Sequence, residues 1–352
     1  MHPSTRLASI DFRRRALIGG ALAAGALMAL PRAAGAEGPA EPEIVDLDWA
    51  DASRNRAVPV RLYWPQQARR EAPVPLVVFS HGIGGSRLGY SYLGRHWAAQ
   101  GWASMHLQHV GSDRALWFGN PLGLIGRLRE AARDSEAMDR ALDLRFALDR
   151  LLDPVLQHPL LGRPAEAIDP RRIVAAGHSY GANTTLLAAG ARVIRQDKAV
   201  DLREPRLRAA IVLSAPPFYG EANLAAILEP VRLPTLHVTS LEDVILIPGY
   251  QSGVDDRIAV FDAVPDPRKL LVVFDRGSHS IFTDRIVSGG AELNTQIKTA
   301  TKGLAVAFLQ QVFEQDGTAL KNWQAAWQPI VARTAGPGLA PVASSPRREF
   351  AG

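Results

Sequence analysis

A serine, a histidine and a carboxylate can together open a bond to a carbonyl carbon, and this chain carries all three in an order that suits the task. The serine lies in Gly177-His178-Ser179-Tyr180-Gly181. A hydroxyl is a poor nucleophile until a base takes its proton and a third group orients that base. His279 is the candidate base, because it is the only one of nine histidines beyond the last apolar run that could carry it. The orienting acid is read as Asp243 in preference to its neighbour Glu242, the shorter side chain suiting a tight turn. Charge that develops on the carbonyl oxygen needs donors aimed at it. The glycine-rich run Ser80-His81-Gly82-Ile83-Gly84-Gly85-Ser86 frees backbone N–H groups for this, and the N–H groups of Ile83 and Tyr180 are the expected pair.

These residues make chemical sense only if strands and helices hold them in one place. Residues 172–176 are apolar and β-branched and read as a buried strand, and 182–191 as a helix rich in small residues. A serine on the turn between them, with glycine two positions to either side, is a nucleophile elbow. The competing reading is an ordinary tight turn with a surface serine. Residues 42–64 alternate weakly and suggest two antiparallel edge strands with 51–56 as their turn. Residues 74–80 form a continuous apolar run, as in a parallel strand covered on both faces. A helix over 90–100 and a strand over 101–107 follow, and further strands are expected at 207–214, 233–239 and 269–274. A final helix is expected at 291–314. Alternating strands and helices predict a doubly wound α/β sheet, mostly parallel, with an antiparallel N-terminal edge. Residues 111–170 read as a helical insertion after the fourth strand, able to act as a lid. Within it, 128–152 reads as one charged amphipathic helix whose Arg and Asp residues mark a solvated face.

The totals narrow the chemistry. The chain has 352 residues and no cysteine, which excludes disulfides, thiolate metal sites and a cysteine nucleophile. Residues 1–36 carry five arginines against one aspartate, so all but about one unit of the formal charge of +5 sits there. The basic balance is therefore no argument for a nucleic-acid partner. In that segment Arg13-Arg14-Arg15 precedes a glycine-containing apolar run and a small-residue ending. The pattern predicts a twin-arginine export signal cleaved after Ala36, with the Tat translocase as partner during export and a periplasmic or secreted destination. A membrane anchor is the competing reading, but the run of about 15 residues is short of the ~20 that span a bilayer. Residues 37–334 are expected to form the folded domain, and 335–352 a disordered tail.

His106 and His109 could suggest a metal pair, but no third ligand stands near them in sequence. No metal or organic cofactor is called for, and no stable protein partner is implied. Trp117, Phe118 and Phe218 are candidate walls of an acyl pocket, with plain packing as the alternative for each.

The elbow, the His81-Gly82 motif and the later Asp and His together resemble the α/β-hydrolases. Phe79 to Ser86, His109-Val110-Gly111-Ser112-Asp113, Asp143 to Asp149 and Arg276-Gly277-Ser278-His279 are similar to bacterial proteins of the platelet-activating-factor acetylhydrolase and predicted dienelactone hydrolase group. That resemblance covers about residues 75–313. It implies hydrolysis of a small-molecule or lipid ester through an acyl-enzyme, with Ser179 as nucleophile and His279 as base. Two departures stand out. Dienelactone hydrolases use cysteine, absent here. The eukaryotic acetylhydrolases carry their acid just after the strand following the elbow, where this chain reads Leu213-Ser214-Ala215-Pro216-Pro217. That pushes the role to Asp243. A polyester or cutin depolymerase, a thioesterase, a peptidase and a non-catalytic binding protein of the same fold are the alternatives.

Overall fold

The centre of the molecule is set by the run Val74–Ser80, in which every residue is buried. The computed structural model describes residues 41–66, 72–159, 161–195, 198–221, 223–286 and 289–342. The proposed export signal, residues 1–36, and residues 343–352 lie outside them.

The chain opens with β1 (Glu43–Asp51) and β2 (Arg56–Trp64), paired antiparallel from Glu43 opposite Trp64 to Asp51 opposite Arg56. The central run is β3 (Val74–Ser80). Next come α1 (Ser91–Ala99), β4 (Ala103–Leu107), α2 (Leu124–Ala131), α3 (Asp134–Leu151) and the single turn α4 (Pro164–Ala167). The elbow joins β5 (Ile168–His178) to α5 (Tyr180–Ala189). A small hairpin, β6 (Arg192–Arg195) and β7 (Lys198–Asp201), leads to β8 (Leu207–Leu213), α6 (Leu224–Leu228) and β9 (Thr235–Ser240). A second hairpin, β10 (Ile245–Ile247) and β11 (Tyr250–Ser252), precedes α7 (Val254–Ala263) and β12 (Leu270–Phe274). The chain closes with α8 (Gly290–Glu314), α9 (Thr318–Trp327) and β13 (Val331–Ala335).

The main sheet runs β1-β2-β4-β3-β5-β8-β9-β12-β13, parallel from β4 through β12 and antiparallel at both edges. Side chains on a strand alternate between faces, and the core divides accordingly. Val77 and Phe79 join Trp97 and the apolar side of α8 in one cluster. Leu76 and Val78 join Leu144, Leu148 and Leu151 of α3 in another. Both faces of the sheet are thus covered, which is why β3, β4, β9 and β12 have no exposed side.

Three expectations need correction. Residues 128–152 are two helices, not one: Arg133 is extended (φ −66°, ψ 154°) and caps α3. Asp134 and Glu136 in the next turn favour a helix start, where the dipole attracts negative charge. The charged side of that helix is not simply solvated either. Glu136, Arg140 and Asp143 are buried, because Arg54 and Arg56 of the first hairpin reach across to Asp143 and Arg56 also to Glu136. Finally, the tail does not loosen at residue 335. Ala335 pairs with Leu271, and Ala340 is held by Gln324 and Thr334.

Candidate active site

In a parallel sheet the C-terminal ends of the strands share one edge, and here three loops leave that edge carrying the candidate groups. β5 delivers Ser179. Its backbone has φ 55° and ψ −123°, a strained conformation for a side-chain-bearing residue and one often stored at reactive centres. The flanking glycines are required by contact. A Cβ on Gly177 would lie 2.1 Å from the carbonyl oxygen of Gly181, and one on Gly181 would lie 1.9 Å from that of Ser80. Only glycine lets α5 start this close to β3.

Ser179 Oγ is 2.8 Å from His279 Nε2. His279 Nδ1 is 2.7 Å from Asp243 Oδ1. Asp243 follows β9 and is fully buried, and His279 follows β12. The other oxygen of Asp243 accepts hydrogen bonds from Thr239 Oγ1 at 2.7 Å and from Ser214 Oγ. Arg257 Nη2 stands 3.4 Å from Asp243 Oδ1, while its Nε and Nη1 have no partner among the described residues. Burial alone would raise the pKa of Asp243. The hydrogen bond and charge of His279, with Arg257 and Ser214, outweigh it and hold the carboxyl well below its usual range. An ionised acid fixes the tautomer of His279: Nδ1–H donates to Asp243, leaving Nε2 free to accept the serine proton. Glu242 has a separate place. Its Oε2 accepts the N–H of Gly277, two residues before His279.

On the opposite side of Ser179 lies the glycine-rich loop after β3. Gly82 N–H donates to Tyr90 Oη at 3.3 Å and Gly84 N–H to Ser112 O at 2.8 Å. Between them the Ile83 N–H has no partner among the described residues. The Tyr180 N–H is the first of α5, where helical N–H groups lack an in-helix acceptor. Both are therefore available to an oxyanion.

Trp117 packs on the same loop. Its Nε1–H donates to Gly84 O at 2.8 Å, and its ring lies against Gly84 so closely that a Cβ there would be 2.4 Å away. Phe118 does not join it and is 69% exposed. Phe218 is buried in the apolar cluster with Leu186, Val212 and Val260, a packing position. His106 and His109 do not converge on a metal site. His106 bonds to Ser104 Oγ, and His109 lies between Asp143 and Ser80. Among the described residues, no group of three or more His, Cys, Asp or Glu could hold a metal ion.

His178 has a use that its place in the elbow motif does not announce. Its Nε2 lies 2.9 Å from the backbone oxygen of His279, which can only accept, so Nε2 carries the hydrogen. Nδ1, 2.9 Å from Tyr90 Oη, then accepts from the phenol, which itself accepts from Gly82. A one-way chain of donors thus ties the glycine loop to the His279 loop. Burial and the neighbouring His279 lower the His178 pKa to about 3, so it stays neutral, as this chain requires. Tyr90 takes φ 58° to place its ring there.

Comparison with known proteins bears on this arrangement. Among solved structures, the ferulic acid esterase from Streptomyces cinnamoneus superposes with a TM-score of 0.55 at 22% identity, covering 81% of this chain and 93% of the other. The chain has the α/β-hydrolase fold. Residues 53–115, which include the glycine-rich loop, match the family of platelet-activating factor acetylhydrolase, isoform II. No curated protein matches the chain. The family match on this fold supports a carboxylic ester hydrolase in general terms.

Proposed function

We propose that this chain is a serine esterase that works through an acyl-enzyme, acetylhydrolase-like in taking short acyl groups. The observation that carries the reading is the unbroken line Ser179 Oγ, His279 Nε2, His279 Nδ1, Asp243 Oδ1, with neither link longer than 2.8 Å. Ser179 attacks the ester carbonyl as His279 takes its proton, and the oxyanion is met by the N–H groups of Ile83 and Tyr180. The tetrahedral adduct collapses, His279 protonates the leaving alcohol, and the acyl group remains on Ser179. Water, deprotonated by the same histidine, then attacks the acyl-enzyme and releases the acid.

The short-acyl preference rests on the family match. The solved neighbour adds an aromatic acyl group as the second substrate class. Export by the twin-arginine route, with the Tat translocase as transient partner, belongs to the same proposal and rests on Arg13-Arg14-Arg15 and the run that follows.

The test is turnover of p-nitrophenyl acetate, p-nitrophenyl butyrate and a feruloyl ester by wild type and Ser179→Ala. A short-acyl esterase shows falling kcat/KM from acetate to longer or aromatic acyl groups. Ser179→Ala should lose on the order of 10⁶ in kcat and all labelling by a fluorophosphonate. Undiminished turnover by Ser179→Ala overturns the reading, and a preference for the feruloyl ester overturns the acyl assignment.

A further inference from the structure

Arg140, in the middle of α3, is the largest charged side chain with no exposed surface among the described residues. A buried charge is costly unless paired. Yet no carboxylate lies within ion-pair distance of its guanidinium among the described residues. Glu136 is reached through Ser112 Oγ, which accepts from Arg140 Nη1 at 2.7 Å and donates to Glu136 Oε1 at 2.8 Å. Burial lowers the Arg140 pKa to about 10, which leaves it fully charged at neutral pH.

The remaining contacts of Arg140 all lead to the two strips of backbone that face the substrate oxygen. Nη2–H donates to the carbonyl oxygen of His81, two residues before Ile83. Ser112, held by Nη1, offers its own carbonyl to the Gly84 N–H, one residue after Ile83. Nε–H donates to Thr184 Oγ1 in the first turns of α5 at 2.9 Å. The guanidinium carbon lies 4.5 Å from the centroid of the Tyr180 ring, whose backbone N–H is the other donor. One planar fork thus spans both halves of the oxyanion hole from behind. Arginine can do this and lysine cannot, because only its fork supplies several donors in fixed directions while its face stacks on a ring.

We infer that Arg140 is a positioning residue for the oxyanion hole: it fixes the spacing of the Ile83 and Tyr180 N–H groups and places a desolvated positive charge behind them. This rests on the esterase reading and deepens it. The charge matters because it is compensated more fully when the substrate oxygen becomes negative than before. Its cost in the resting enzyme is thereby partly returned in the transition state.

The test compares wild type with Arg140→Gln, Arg140→Lys and the milder Ser112→Ala, which frees one arm of the fork. Each is assayed for p-nitrophenyl acetate turnover, for affinity for phenylboronic acid, which becomes a tetrahedral anion on the serine, and for thermal unfolding. The expected result for Arg140→Gln is a fall in kcat of about 10²-fold, the scale of losing one oxyanion donor, with KM little changed and boronate affinity falling in step. Arg140→Lys should recover part of both, because the charge returns without the fork. Ser112→Ala should lose several-fold in both readouts, and it decides the matter if the arginine variants do not fold. The inference is overturned if folded variants keep kcat and boronate affinity, or if the loss resides in KM with boronate affinity intact. A wild-type enzyme that hydrolyses no ester would instead sink the esterase reading.

Discussion

Asp243 and Glu242 are adjacent in sequence and have different duties, one orienting the imidazole of His279 and the other anchoring the backbone of its loop. Asp243→Asn leaves an amide where the charge was and favours the wrong imidazole tautomer, so kcat should fall by about 10⁴. Glu242→Ala removes one hydrogen bond worth about 1 kcal/mol, while Ser240 Oγ still holds the carbonyl of Gly277. It should keep kcat within about tenfold, and steady-state rates of the two variants separate the roles. Ser179, Asp243 and His279 were legible because strand–loop order constrains where such groups stand. Arg140 and His178 were not. Arg140 sits among the alternating charges of α3, which read as solvated, and nothing in the sequence tells that Arg54 and Arg56 would cover that face. The use of His178 depends on a tyrosine 88 residues away, which the elbow motif does not indicate.

At the level of elements, the elbow depends on a contact between backbones. Because a Cβ on Gly181 would press into the Ser80 carbonyl, Gly181→Ala must push α5 away from β3 and carry Tyr180 with it. Overpacking of a tight site costs about 1–3 kcal/mol. The variant should therefore show a lower urea midpoint and lose most of its esterase activity, and a stable, active Gly181→Ala would contradict the close approach. The buried parallel strands were readable from continuous apolar runs, and so was α8 from its spacing. The hairpins β6–β7 and β10–β11, with strands of three or four residues each, leave no signal in the sequence because they are short and partly polar. The split between α2 and α3 was hidden because acidic residues that begin a helix look the same as acidic residues on an exposed face.

Across the whole molecule, histidine burial sets the response to acid. His106, His178 and His237 are fully buried, and burial lowers each from 6.5 to about 3; His81 and His109 are lowered well below 6.5 for the same reason. The unfolded chain therefore binds protons that the folded chain refuses. The stability these histidines contribute is fully present above pH 6.5 and falls as the pH drops from 6.5 toward 3, by ~1.4 kcal/mol per unit for each of them. Denaturant midpoints followed by circular dichroism from pH 8 to pH 5 should decline steeply below 6.5, and a flat profile would contradict neutral buried histidines.

The strand that feeds the His279 loop owes its outer neighbour to the far end of the described chain. Val331–Ala335 pairs with β12, and Asp275 N–H donates to Ile330 O. Clipping between Trp327 and Val331 would uncover a row of unused donors and acceptors along Leu270–Phe274, the kind of border that recruits strands from other molecules. A protease that removed so little would at once slacken the imidazole and make the enzyme prone to clump, so its working life is guarded by a few residues with no part in the chemistry.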